Sequence, residues 1–408
     1  MIRVIISGGG TGGHVFPAIA IANALKARVK EIEILFIGAK GRMEMEKVPA
    51  AGYRIEGLTI SGFQRRLTFK NLTFPFKLLG SLLKARTIIS TFKPDVVIGV
   101  GGYASGPTLR IATSRGIPSL IQEQNSFPGV TNRILGNRVL KICVAYDGMN
   151  KYFPHEKIVL TGNPIRQEVL QILGKTEEAQ QHFGLNPGRK TILVVGGSLG
   201  AGTINQAILK FVTDFFDPGS LLKTPGTLNH NVTELQILWQ TGKSDFDKIN
   251  ASFSRKISSN HKAENTIQSP KSTVVTLGKP EPGSDNLVIL PFIDRMDLAY
   301  AAADLIVSRA GAIAISELCV IGKPVILVPS PNVAEDHQTK NALFLVNRNA
   351  AILVSDHEAI DKLGTTIVGT LADVALQSKL KKNISELAIT DAASRIADEV
   401  LKLSKENE

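Results

Sequence analysis

Two stretches of this chain follow one plan. RVIISGGGTGG, beginning at residue 3, and TILVVGGSLGAG, beginning at residue 191, each pass from a β-branched apolar run through a bare glycine turn into a helical pattern. A run that is apolar at successive positions has two faces to bury, and a parallel sheet covered by helices buries both. Further runs of this kind follow each copy. EILFIGA, DVVIGV, PSLIQ, ICVAY and IVLTG come after the first; LQILWQ, LVILPF, DLIVSR, PVILVP and AILVS come after the second. Helical stretches such as PAIAIANALKAR separate them. The expected fold class is therefore α/β, with two Rossmann-like domains of similar size. A chain of 408 residues has room for both.

The expected boundary lies at TGNPIR, residues 161–166, giving domains 1–163 and 164–391. AASRIADEVLKLSKENE, residues 392–408, reads as an amphipathic helix with a polar tail. DPGSLLKTPGTLNHN, residues 217–231, and the Ser-, Lys-, Asn- and Pro-rich stretch 252–285 read as flexible surface loops and not as sites.

Cys143 and Cys319 lie far apart and form no metal or disulfide spacing, which fits a reducing compartment. A strand-like run begins at residue 2, so no signal peptide is expected, and no apolar run is long enough for a transmembrane helix. The expected location is cytoplasmic. The formal net charge of +11 points to an anionic partner. Between Gly57 and Pro94 there is no Asp or Glu, and Lys and Arg alternate with bulky apolar residues in FQRRLTFKNLTFPFKLLGSLLKAR. Such a stretch suits a surface resting on anionic lipid. A core helix with a solvated basic face is the other reading. Nucleic acid is disfavoured, because aromatic residues make up only 6% and no recognised binding motif is present.

Backbone N–H groups of a glycine turn, with the helix N-terminus behind them, suit an anion such as phosphate. Pro17 fits a first-turn position, where a missing N–H costs little. Gly8, Gly10 and Gly13 match G-x-G-x-x-G, yet no acidic residue ends the next strand, EILFIGAKGR, as a dinucleotide site expects. Lys40 and Arg42 keep an NADP reading open, whereas the G-K-[ST] ending of a P-loop is missing. His14 stands where the turn meets the helix. It could take a proton from a substrate hydroxyl, donate a hydrogen bond to phosphate, or be a satisfied, half-buried histidine.

Seven polar, glycine-rich stretches fall where open α/β sheets bind ligands. They are GGTGGHVFPA (9–18), GVGGYASGP (99–107), IQEQNSFPGVTNR (121–133), TGNPIR (161–166), GGSLGA (196–201), SRAGAIAISEL (308–318) and PSPNVAEDHQTKNA (329–342). Together and in this order they resemble the MurG family, the UDP-N-acetylglucosamine (UDP-GlcNAc) transferases that make lipid II for bacterial peptidoglycan. The resemblance implies the GT-B architecture, two Rossmann-like domains facing a cleft, with the last helix packing back on the N-terminal domain. It implies a donor, UDP-GlcNAc, held mainly by the C-terminal domain. It implies an acceptor, lipid I (undecaprenyl-pyrophosphoryl-MurNAc-pentapeptide), held mainly by the N-terminal domain.

Residue roles follow from the same resemblance. Thr11, Gly12 and Gly13 would face the acceptor pyrophosphate, and Tyr103 and Ser105 would line the acceptor side. Asn125 would stand near the transferred sugar. Ser198 and Arg166 would meet the donor diphosphate. Ile293 would read uracil through its backbone. Ala312 opens the helix that carries Glu317, whose carboxylate would accept the ribose hydroxyls; a dipole-complementing helix acid is the plainer reading of Glu317. Gln338 and Asn341, three apart, would serve sugar hydroxyls with His337 beside them. The chain departs from the family at Gln122, where a histidine is common, and its two long loops exceed the family's expected length.

The reaction implied is inverting transfer of N-acetylglucosamine to the muramyl 4-hydroxyl. His14 is the candidate base, with Glu123 the alternative if His14 binds the acceptor diphosphate instead. No DxD-type pair lies near the turns, so neither metal nor cofactor is expected. The expected place of work is the cytoplasmic face of the cell membrane, as a peripheral protein. Three rivals stand beside this reading: a UDP-sugar 2-epimerase, a non-catalytic nucleotide-sugar or lipid-diphosphate binder, and a transferase making other glycolipids.

Overall fold

The computed structural model describes residues 1–60, 74–197, 200–216, 235–260, 266–269, 272–276 and 285–405. The chain divides into two compact units, Met1–Arg166 with Ile389–Glu408, and Gln167–Ala388.

The first unit alternates strands and helices: β1 (Ile2–Ser7), α1 (Gly12–Arg28), β2 (Ile32–Ala39), α2 (Glu44–Ala50), β3 (Arg54–Leu58), α3 (Phe74–Phe92), β4 (Val96–Gly99), α4 (Ser105–Ser114), β5 (Ser119–Glu123), α5 (Val130–Gly136), β6 (Lys141–Val144) and β7 (Ile158–Leu160). The strands pair in parallel in the order β3-β2-β1-β4-β5-β6-β7. Successive residues of β1 enter opposite cores: Val4 and Ile6 pack on one face, Ile5 on the other. That is why the run is apolar without alternation.

Pro17 departs from expectation. The helix opens at Gly12, so Pro17 is its sixth residue rather than a first-turn residue. The last glycines of the turn have themselves become helical, and a proline there withholds an N–H from the Gly13 carbonyl.

The second unit runs α6 (Thr176–Phe183), β8 (Lys190–Val195), α7 (Gly202–Phe216), β9 (Leu235–Gln240), α8 (Lys243–Asn260), β10 (Thr266–Ser269), β11 (Ser272–Thr276), β12 (Asp285–Leu290), α9 (Met296–Ala302), β13 (Leu305–Ser308), α10 (Ala312–Ile321), β14 (Val325–Leu327), α11 (His337–Val346), β15 (Ile352–Leu353), α12 (Ala359–Ala372) and α13 (Val374–Ser385). The order is β10-β11-β12-β9-β8-β13-β14-β15. The stretch 252–285 is thus not all loop: it ends α8 and supplies β10 and β11, which pair antiparallel beside β12. The strand signal there is short, Val274 and Val275 amid polar residues, and polar composition hid it. Residues 217–231 lie outside the described residues.

The last helix, α14 (Ala392–Lys405), belongs to the first unit. Ile396, Ala397, Val400 and Leu403 join the core that α1 also covers. Arg28 binds the Ser394 carbonyl at 2.6 Å and Asp398 at 3.2 Å. Among the described residues no helix is long and apolar enough to cross a membrane.

Candidate active site

In each unit the strand order reverses beside the strand that carries the glycine turn. β2 and β3 lie on one side of β1 and β4 on the other; β9 lies on one side of β8 and β13 on the other. Loops leaving the carboxyl ends of neighbouring strands diverge at such a point and leave a crevice.

In the first unit the loops after β1, β4 and β5 meet there. The Gly9 N–H donates to the Gly101 carbonyl at 3.3 Å, joining the first two. Gly101 has φ +91, and a Cβ built on it would stand 2.9 Å from His14 Nε2, so a side chain at this position would crowd the ring. His14 is half-buried, with Nδ1 3.1 Å from the Gly9 carbonyl oxygen and 3.3 Å from Thr11 Oγ1. Thr11 is the extended N-cap of α1 and makes no side-chain cap bond, and no acid lies in the first turn. Gly12 and Gly13 therefore open a helix whose positive end holds no carboxylate of its own. Tyr103 is 48% exposed on the neighbouring loop.

Ser105, expected at the acceptor side, and Glu123, the alternative base, are both held by internal hydrogen bonds. Ser105 is fully buried, with Oγ 2.6 Å from the Ser7 carbonyl and 3.0 Å from that of Gly101. It ties β1 to the β4 loop rather than lining a surface. Glu123 is 2% exposed and accepts from Asn125 N at 2.9 Å, Asn125 Nδ2 at 3.2 Å, Gly129 N at 3.1 Å and Asn132 Nδ2 at 2.9 Å. Burial raises its pKa above the ordinary range, against the pull of those four donors. A carboxylate engaged on every side shapes the loop that carries Asn125 and is poorly placed to receive a substrate proton. Gln122 is also internal: its amide donates to Asn163 Oδ1 at 2.9 Å. Arg166 is exposed and ends the Met1–Arg166 segment of this unit.

Glu44 was not foreseen. It is 1% exposed, and its carboxylate accepts the Gly10 N–H at 2.8 Å and the Ala39 N–H at 2.9 Å. The sequence offered one cue: an acid a few residues past the second strand, near where a dinucleotide site keeps its ribose ligand. Here the acid turns back into the glycine turn.

In the second unit, Gln240 ends β9 and was likewise missed. Its Nε2 donates to the Gly197 carbonyl at 3.0 Å and its Oε1 accepts the Ile293 N–H at 2.9 Å. The Ile293 side chain is 2% exposed, in the core, and its N–H is taken, so its carbonyl is the group left to meet a base edge. Ser198 lies outside the described residues. Ala312 begins α10 after Gly311, and this helix too has neither a side-chain cap bond nor a first-turn acid. Glu317 sits in the second turn of α10, 3% exposed, and accepts from the Tyr300 hydroxyl at 3.2 Å. Burial with a hydrogen-bonded partner does not suit a residue that only complements the helix dipole.

Gln338 Oε1 accepts from Ala310 N at 3.3 Å and Ser330 N at 2.8 Å, binding together the loops after β13 and β14. Asn341 is fully buried and donates to the Ala310 carbonyl at 3.3 Å, so it supports this loop from beneath. His337 is 17% exposed, with Nε2 4.0 Å from a Glu335 oxygen. Among the described residues no group of three His, Cys, Asp or Glu could hold a metal ion.

The chain resembles known proteins along its length. Residues 4–144 match the glycosyltransferase family 28 N-terminal domain and residues 191–399 match the family 28 C-terminal domain. Two relatives carry the name UDP-N-acetylglucosamine--N-acetylmuramyl-(pentapeptide) pyrophosphoryl-undecaprenol N-acetylglucosamine transferase. One, from Bacteroides fragilis, is 50% identical over 100% of this chain and 97% of its own length. The other, from Flavobacterium psychrophilum, is 48% identical over 98% of this chain and 97% of its own length. The crystal structure of Acinetobacter baumannii MurG superposes with a TM-score of 0.72 at 27% identity, over 98% of this chain and 100% of that one. A UDP-GlcNAc 2-epimerase from Neisseria meningitidis, bound to UDP-GlcNAc, gives a TM-score of 0.62 at 14% identity over 98% of this chain and 100% of that one, a likeness of fold alone. The chain belongs to glycosyltransferase family 28 and, within it, to the MurG family.

Proposed function

We propose that this chain is a hexosyltransferase that moves N-acetylglucosamine from UDP-GlcNAc to the muramyl 4-hydroxyl of lipid I, forming lipid II. The observation that carries the reading is full-length identity of about half to transferases of that name. The units have the parts the reaction needs. The Gly12–Gly13 helix start of the first unit suits the acceptor pyrophosphate. The Gly197 turn and the α10 start at Ala312, both in the second unit, suit the departing diphosphate, and Glu317 suits the ribose. Gln338 keeps its Nε2 for a sugar hydroxyl, because its Oε1 is held by backbone.

In the transfer, the acceptor oxygen bonds to the anomeric carbon as the carbon–oxygen bond to UDP breaks, and UDP leaves with the electron pair. The hydroxyl proton passes to Nε2 of His14. A base so placed contributes about 10²–10⁴-fold. Glu123, buried under four donors, supports the loop of Asn125 instead.

On this reading the protein works at the cytoplasmic leaflet of the membrane. Phe76, Leu79 and Leu83, spaced along α3, are 78%, 58% and 58% exposed. Apolar side chains left open on a helix with basic neighbours suit an anionic lipid surface. Arg65, Arg66 and Lys70 lie outside the described residues. The test of the function is product identity. Mass spectrometry of a short-chain lipid I analogue after incubation with UDP-GlcNAc should show one added N-acetylhexosamine. An unaltered acceptor with epimerised donor would favour the epimerase reading.

A further inference from the structure

We propose that Glu44 is a positioning residue for His14, acting through the single peptide that joins Gly9 to Gly10. The proposal rests on the reading of His14 as the base. The N–H of that peptide donates to Glu44 Oε2 at 2.8 Å, and its carbonyl oxygen lies 3.1 Å from His14 Nδ1. A carbonyl oxygen only accepts. The contact therefore puts the ring proton on Nδ1 and the lone pair on Nε2, the nitrogen on the Gly101 side. Thr11 Oγ1, 3.3 Å from the same nitrogen, is the competing partner, since a hydroxyl could donate to a bare Nδ1.

The peptide needs a lock. Gly9 and Gly10 have φ +146 and +93, a backbone region that glycine enters without cost, so the plane between them could turn over. Turning it would point its N–H at the imidazole and its oxygen at the carboxylate. Glu44 opposes that turn. Its second oxygen is fixed by the Ala39 N–H at 2.9 Å, and the side chain is 1% exposed. The cavity is cut to the carboxylate: a Cβ on Gly9 would fall 2.2 Å from its carbon, and one on Gly38 would fall 2.5 Å from the side-chain methylene. An anion hydrogen-bonded to an amide N–H also polarises that amide, so its oxygen accepts more strongly. The order carboxylate, peptide, imidazole does what a carboxylate does directly in a serine-protease triad: it fixes the tautomer and favours the charged imidazole without itself taking a proton.

The test is the tautomer of His14, read from ¹⁵N chemical shifts of histidine-labelled full-length protein above the imidazole titration. The His14 signals are assigned with His14→Gln. The wild type should show the Nδ1–H form. Glu44→Gln, which can no longer accept on both sides, should move the population toward Nε2–H. It should lower kcat by roughly tenfold or more with KM for UDP-GlcNAc within about twofold. Glu44→Asp, with the charge drawn back by one methylene, should fall between the two. A wild-type Nε2–H form overturns the proposal without any variant, as does an unchanged tautomer in folded Glu44→Gln or Glu44→Asp. The spectrum needs no substrate. The expected tautomer shift in a protein without transferase activity would keep the link between Glu44 and His14 and reject the transfer reading.

Discussion

Gln240 Oε1 accepts the Ile293 backbone N–H at 2.9 Å. The other end of the same amide holds the Gly197 carbonyl at 3.0 Å. One side chain thus sets the spacing between the turn suited to a diphosphate and the strand end suited to a base. Gln240→Leu should leave both backbone groups unpaired, at a cost of about 1–3 kcal/mol for a buried group. The expected result, by calorimetry, is a roughly 5- to 150-fold weaker affinity for UDP-GlcNAc with the acceptor KM unchanged. Equal affinity would remove Gln240 from the donor site.

The reach of the sequence is clear from such residues. The parallel sheets were legible because strands such as β1 are apolar on both faces, and α14 was legible from its apolar spacing. The glycine turns were legible as turns between a strand and a helix, and His14 stood out at the edge of the first. Glu44 and Gln240 were not legible, because their roles arise from contacts 34 and 53 residues away along the chain. Glu123 and Ser105 stood out by motif, yet the motif did not show that both are buried and hydrogen-bonded to the loops around them. β10 and β11 were hidden by polar composition, which marks a loop and a polar strand alike.

Lys323 carries a pH signature. Its ammonium donates to the Ala301 carbonyl at 2.8 Å and to that of Ala303, closing the end of α9. Burial pushes its pKa down to about 8 from 10.5. Between those values the unfolded chain binds the proton more than the folded one does, so this residue makes stability rise with pH across that window. Urea unfolding of wild type and Lys323→Met should show a difference that shifts in favour of the wild type from pH 8 to 10.5. A difference independent of pH would show that the lysine is not held in this way.

The open face of α3 predicts where lipid is met. Replacing Phe76, Leu79 and Leu83 together with serine should weaken binding to anionic vesicles by roughly tenfold or more, since each large apolar side chain transferred from water contributes about 1.5–3 kcal/mol. Turnover of a detergent-soluble, short-chain acceptor should be preserved. Vesicle sedimentation that matches wild type would assign these side chains to another surface.

The measurement to make first is the rate of UDP release from UDP-GlcNAc, with and without a short-chain lipid I analogue, for wild type and His14→Ala. UDP release by wild type should require the acceptor. The variant should lose about 10²–10⁴-fold of that rate while binding UDP-GlcNAc as tightly as wild type. Release indifferent to the acceptor would contradict the transferase reading, and a variant as fast as wild type would contradict the role given to His14.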